Sequence, residues 1–281
     1  MLTKRVLYTL LIVPVLVLTA CQSSDQTASS GSTTNTSTPS EHNATNQNAS
    51  SMADTASDQG ADCQLTMGWD PWEPYHFEAS DGETRGMDAD FASAMAERAG
   101  CRVVFEKGEW ATLLKAMQAG EIDLLAGATK VEQREPFAWF SAPYRAESFQ
   151  LHVASNAEAQ GDSLENLMAS GFRLGLTEGY IYGDVISGLQ DNPRVAAQII
   201  YSPIAEYHFN NLAEGRIDGF LEDPYVAEAI ARRHGWQDQI KALPIRFGNH
   251  EVRFMFNRNT VDAALLEQMN LALTEMQQSG L

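Results

Sequence analysis

The sequence predicts an α/β protein whose folded body, residues 61–281, consists of two lobes. Two observations predict it. Strand-like and amphipathic helical segments alternate along the body, and the rhythm runs through once and then repeats. Parallel strands need a crossover long enough to be a helix, so alternation of this kind implies mainly parallel sheets flanked by helices. Two such units in 221 residues make two small lobes, with a cleft between them as the default ligand site.

In the first unit Leu65–Trp69 reads as a strand. Asp88–Ala99 reads as a helix, with Phe91, Met95 and Ala99 on one face and Gly100 closing it. Arg102–Glu106 is β-branched and strand-like. Ala111–Ala119 carries Leu113, Leu114 and Met117 at helical spacing and stops at Gly120, ahead of a short buried strand, Leu124–Ala126. In the second unit Arg173–Leu176, Gln198–Ser202 and Gly219–Leu221 read as strands. Tyr182–Leu189, Ile204–Glu214 and Tyr225–His234 read as helices. Val252–Phe256 is a last strand, and Thr260–Gln278 a long amphipathic helix. Cys63 and Cys101 each precede a strand of one parallel unit, so their strand starts lie close together. In an exported protein they are expected to form a disulfide, the alternative being two buried thiols.

Charge narrows the function. With 19 Lys+Arg against 37 Asp+Glu the chain carries −18, and the body alone about −16. A nucleic-acid binder needs a basic face to neutralise phosphate, and a polybasic membrane-surface protein needs the same. Three cysteines are too few for a disulfide-built scaffold. No CxxC or Cys/His cluster suggests zinc, and neither a metal nor a cofactor is expected.

The first 20 residues read as an export signal. Lys4 and Arg5 precede a 15-residue, mostly apolar run, Val6–Ala20. That run is short of the roughly 20 residues needed to cross a bilayer. Leu18-Thr19-Ala20-Cys21 resembles the bacterial lipobox, so Cys21 is expected to be lipidated. The alternatives are a plain secretory signal cut after Ala20 and a single membrane anchor. Residues 21–60 then form the lipidated Cys and a disordered tether. Ser and Thr supply 17 of residues 22–60, and Met52 is the only large apolar side chain there. Such a segment has a root-mean-square reach of about 35 Å.

The chemistry concentrates after the strand at Leu124–Ala126. Ala126-Gly127-Ala128-Thr129 continues to Arg134, and Phe140-Ser141-Ala142-Pro143-Tyr144 follows. A free amino acid needs a guanidinium and N–H groups for its carboxylate, and a carboxylate with carbonyl or hydroxyl oxygens for its ammonium. This stretch resembles bacterial extracellular solute-binding protein family 3, the periplasmic polar amino-acid-binding proteins of ABC transporters. Gly86-Met87-Asp88-Ala89-Asp90-Phe91, Glu109-Trp110, Gly120-Glu121-Ile122-Asp123 and Gly215-Arg216-Ile217-Asp218 through Asp223 fall in that family's order. Asp88 reads as the N-cap of its helix.

The resemblance implies a type II periplasmic binding protein fold with two hinge crossings, near Arg145–Phe149 and Arg246–Gly248. Lobe 1 is then residues 61–147 plus 248–281, and lobe 2 residues 150–245. Carried over by position, Arg134 clamps the ligand carboxylate, with Thr129 adding hydroxyl and N–H. Gly127 offers its carbonyl to the ammonium, and Asp223 supplies the paired carboxylate. Taken alone, Arg134 reads as a surface arginine and Asp223 as a cap ahead of Pro224. Trp72 and Trp110 take the places of the two aromatics that face each other across the ligand, the alternative being two core tryptophans. Trp69 stands where binders of basic amino acids often carry an acid, with Asp70 displaced by one position. Tyr180 and Ile181 replace small residues in the turn that meets the carboxylate, and Glu222 is either a side-chain selector or solvated. Relatives continue past Ser279-Gly280, so lobe 1 is expected to be less covered here.

The implied function is capture of a free amino acid or close analogue by hinge closure and delivery to an inner-membrane ABC permease, by a monomer that touches the membrane only through its lipid anchor. No catalytic residue is expected. The alternatives are a periplasmic enzyme on the same fold, resembling cyclohexadienyl dehydratase, and a sensing module that acts with a partner kinase.

Overall fold

The computed structural model describes residues 63–158 and 163–280. The export signal, Cys21 and the tether lie outside the described residues.

The first half runs β1 (Gln64–Trp69), β2 (Phe77–Glu78), β3 (Thr84–Arg85), α1 (Met87–Arg98), β4 (Arg102–Lys107), α2 (Trp110–Ala119), β5 (Leu124–Thr129) and β6 (Ala138–Phe140). A long strand, β7 (Arg145–Ala154), leads into the second half. There α3 (Leu164–Ala169), β8 (Leu174–Thr177), α4 (Asp184–Gln190), β9 (Ile199–Ser202), α5 (Glu206–Ala213), β10 (Gly219–Glu222) and α6 (Pro224–His234) follow. The longest strand, β11 (Ile240–Asn257), returns to the first half, and α7 (Ala263–Ser279) packs there against α1.

The strands join in the order β4-β1-β5-β11-β7-β10-β8-β9, with β6 also paired to β11. β1 is parallel to β4 and β5, and β8 is parallel to β9 and β10, as the alternation predicts. The sheet is nonetheless mixed, because β7 and β11 run antiparallel to their neighbours. These two strands pair with each other from Ile240↔Ala154 to Val252↔Arg145, through both segments that the resemblance implies are hinges. The ladder is irregular between Gly248 and His250, opposite Ser148 and Glu147.

Each half has its own core. In the first, Met67, Met95, Phe254, Phe256, Met269 and Leu273 fill the space between the sheet, α1 and α7. In the second, Phe149, Leu151, Leu164, Leu174, Ile186 and Leu221 pack together. A third cluster joins the halves, setting Trp72 and Tyr75 against Phe209, Phe220, Val226 and Ile230. Cys63 and Cys101, one position ahead of the Gln64↔Arg102 pair, are linked in a disulfide.

Several elements differ from the sequence reading. Asp88 does not cap α1; Gly86 takes that place, and the buried Asp88 carboxylate faces Arg145 instead. Tyr182 precedes α4 because Gly183, at φ +96°, turns the chain before the helix can start. The Tyr182 hydroxyl then accepts a hydrogen bond from Thr177 N at 2.7 Å. The sequence reading has no strand at β7, and β11 runs well beyond its Val252–Phe256. Gln150 and His152 are buried on β7, so its pattern does not alternate, and Gln150 is satisfied by donating to the Leu243 carbonyl.

Gly86 sets the position of the loop before α1. Its φ of +119° brings it against Tyr75, where an added Cβ would lie 2.6 Å from the carbonyl carbon. Gly86→Ala is therefore expected to cost roughly 3 kcal/mol through strain and clash. Thermal melting should show it as a fall of about 6–12 °C for a domain of this size.

Candidate functional site

The first wall of the cleft is the loop after β1. It folds tightly, with Trp72 N donating to His76 O and Tyr75 N to Trp72 O, both at 2.9 Å. The turn directs Asp70, Trp72 and His76 into the cleft. The end of β5 supplies Ala126, Gly127 and Thr129. Between the pairs Arg253↔Ala128 and Met255↔Leu125, strand β5 holds two residues, Ala126 and Gly127, against Phe254 alone. This is a β-bulge, made by Gly127 at φ +65°. A Cβ at Gly127 would meet Arg145 Nη2 at 3.0 Å and Trp72 at 3.6 Å, so only glycine lets both pack this closely. Arg134, on a single 3-10 turn, is 6% exposed and donates to Thr129 O and Gly179 O, each at 3.0 Å.

The second wall comes from the ends of β8 and β10. Gly179 accepts from Trp110 Nε1 at 3.1 Å as well as from Arg134, and Tyr180 and Ile181 follow it into the cleft. Glu222, fully buried, accepts from Trp72 Nε1 and from Asp223 N, both at 2.9 Å. Asp223 caps α6 through Tyr225 N and Val226 N, while its other oxygen accepts from the Tyr75 hydroxyl at 3.3 Å. The Tyr180 hydroxyl donates to Asp70 at 2.9 Å. Trp72, Tyr75, Asp70, Trp110 and Arg134 of one half are thus each hydrogen-bonded to the other half. At the back, β7 contributes Glu147 and Phe149. The space left among these side chains is about 20 Å3, room for roughly one water molecule.

A family match now decides the class. Residues 65–281 match the bacterial extracellular solute-binding proteins, family 3. The chain belongs to this family. It is 25% identical over 226 residues to the histidine-binding periplasmic protein of Escherichia coli K12, covering 77% of this chain and 83% of that one. A probable histidine-binding protein of Neisseria gonorrhoeae is 22% identical, over 74% of this chain and 75% of its own. Among solved structures, an ancestral arginine-binding protein bound to arginine superposes with a TM-score of 0.67 at 26% identity, over 77% of this chain and 93% of that one. A histidine kinase sensor domain shares the fold at a TM-score of 0.66 and 19% identity, over 77% and 91%. The two-lobe type II architecture follows from this likeness.

In this family 3 protein the structure brings Arg134, Thr129, Gly127, Trp72, Trp110, Tyr180 and Ile181 to one cavity. Asp223 lies just behind it, through Tyr75. Trp69 is not brought there. It ends β1 opposite Lys107, whose ammonium lies 5.3 Å from its ring, while Asp70, next along the chain, turns inward. Sequence reasoning missed Glu147, His76 and the structural part of Tyr75. The acid two residues after Arg145, a cation already placed near the hinge, was the available signal. Arg145 lies 3.9 Å over the Tyr75 ring and pairs with Asp88 at 3.3 Å and Glu147 at 3.7 Å.

The cleft holds more acid than base. Asp70, Asp88, Glu147, Glu222 and Asp223 are buried around Arg134 and Arg145. Burial pushes Glu147 up to about 8, against the pull of Arg145 and helped by the nearby charges of Asp223 and Asp88. Burial likewise pushes Glu222 up to about 8, opposed by the Trp72 and Asp223 N–H donors. Asp70 and Asp223 are raised by the same cause, and Arg134 is lowered to about 10. Among the described residues, no group of three or more His, Cys, Asp or Glu is placed to hold a metal ion.

These shifts predict a pH response. The folded cleft holds the Glu147 and Glu222 protons more tightly than water would, so the stability these two groups contribute is fully present below about 4.5 and is lost as pH rises towards about 8. Thermal melting at pH 6 and pH 9 should show a lower midpoint at pH 9. The double variant Glu147→Gln, Glu222→Gln should flatten that response.

Proposed function

We propose that this protein captures a free amino acid or close analogue between its lobes and, once closed, passes it to a membrane permease. One observation carries the reading. A buried guanidinium, Arg134, and a buried carboxylate, Asp223, stand on opposite halves, and Glu147 between them is close enough to feel both charges. Such a pair meets the two charged ends of an α-amino acid. Arg134 and Thr129 hold the carboxylate; Asp223 and the Gly127 carbonyl hold the ammonium. Trp72 and Trp110 form the side walls. The relatives named as histidine- and arginine-binding proteins support the ligand class.

Closure is a bend of β7 near Arg145–Phe149 and of β11 near Arg246–Gly248, dividing the body into residues 61–147 with 248–281 and residues 150–245. The ladder irregularity at Gly248 supports this hinge. Because the ligand touches both lobes, its binding energy favours the closed form, which docks on the permease. Relatives named as periplasmic support export, and the lipobox-like sequence at Cys21 supports an anchor at the membrane.

Calorimetric titration of the purified protein, freed of bound ligand by unfolding and refolding, against the twenty L-amino acids tests this. Saturable heat is expected for at least one. Arg134→Ala should weaken it at least about 30-fold, because breaking a buried charged pair costs about 2–5 kcal/mol. Asp223→Asn keeps the helix cap and removes only the charge, and should weaken binding comparably. Unchanged affinity in both variants, or no heat from folded protein, sinks the reading.

A further inference from the structure

Tyr180 stands where a ligand side chain would go. Its ring is edge-on to Trp72, 6.0 Å away at 81°, and to Trp110, 6.1 Å away at 88°. These indoles come from the other half and are the side walls of the cleft. Phe149 lies 6.3 Å behind. The phenol tip ends on Asp70, the carboxylate that a cationic side chain entering this space would need. A planar ring between two indoles, with a donor at its tip on a buried acid, is what a bound histidine would present.

The backbone behind the ring is pinned. Gly179 has φ +80°, and its carbonyl takes both Trp110 Nε1 and Arg134 Nη2. A Cβ at Gly179 would come within 3.2 Å of the Trp110 ring, so the strand end approaches the indole as closely as the chain allows. Swinging Tyr180 out would disturb these bonds as well as lose the Asp70 contact and the two edge-to-face pairs.

We propose that Tyr180 is an internal occupant of the side-chain compartment and thereby sets ligand specificity. Given the amino-acid reading, on which this rests, the halves must part to admit the ligand's backbone, because the space between them holds only about one water. The Tyr180 ring then leaves room only for side chains of the size of glycine, alanine or serine. The cleft excludes basic and aromatic ones, because the ring fills their space and the hydroxyl takes their acid. The specificity of this chain therefore departs from that of the relatives named for histidine and arginine.

The test uses the purified protein, with Tyr180→Ala and Tyr180→Phe, titrated with L-alanine, L-histidine, L-arginine and p-cresol by calorimetry and tryptophan fluorescence. The wild type should bind L-alanine and none of the other three. Tyr180→Ala, shown folded by circular dichroism, should bind p-cresol saturably and gain about 100-fold or more for histidine or arginine, the scale of discrimination a filled pocket gives. Tyr180→Phe keeps the ring and should still refuse p-cresol. If Tyr180→Ala takes p-cresol while no amino acid binds either protein, the occupancy stands and the amino-acid reading falls. Wild-type protein that binds histidine or arginine as tightly as Tyr180→Ala does overturns the proposal, as does a folded Tyr180→Ala that takes no p-cresol.

Discussion

The antiparallel pairing of β7 with β11 is the constraint on which the rest of the molecule depends. Each half builds its own parallel sheet, and each sheet would be complete without the other. The two long strands make them one sheet by belonging to both. Their backbone hydrogen bonds fix how the halves can approach, so Glu147 and Phe149 on β7 become the floor of whatever space the halves enclose. The loops after β1, β5, β8 and β10 then meet above that floor because all of them leave their strands at the ends nearest to it. Parallel strands place those ends together, which is why ligand sites in α/β proteins gather outside them.

Much of this was legible in the sequence, for a physical reason. Parallel α/β units bury helix stripes and short apolar strands, and both leave periodic marks: Phe91, Met95 and Ala99 on α1, and Leu113 and Met117 on α2. Arg134 and Asp223 were marked as ligand residues only through the family resemblance; by themselves they read as a surface arginine and a helix cap, and Asp223 does cap α6 ahead of Pro224 while Arg134 is buried. What escaped lies where burial and polarity combine. Strand β7 carries Glu147, Gln150 and His152 inside, so it shows no apolar alternation. Asp70 was set aside in favour of Trp69 because spacing along a strand cannot show where the chain turns after its last residue. The tight loop from Trp72 to His76 makes that decision, and it depends on Gly86, some ten residues on, packing against Tyr75.

The electrostatics follow from the same geometry. Acids brought together from separate loops share two arginines, and dehydration keeps part of their charge neutralised by protons. One Glu222 oxygen is buried without a hydrogen bond, and one Arg145 nitrogen has only the 3.7 Å ion pair with Glu147. Groups of this kind cost stability relative to an arrangement that lets water reach them.

The bulge at Gly127 has a consequence for how this chain can change over evolutionary time. Because β5 holds one more residue than β11 opposite it, the segment from Ala128 onward is set one position out of step with the strand before it. Loss of Ala126 or Gly127 would restore regular pairing with Thr129 still opposite Val252, but it would remove the kink that lets the chain pass close to Arg145 and Trp72. Neither a side chain at Gly127 nor a change in length can be absorbed there. Variation among descendants of this sequence should therefore collect elsewhere, in the loops that leave the bulge unaltered.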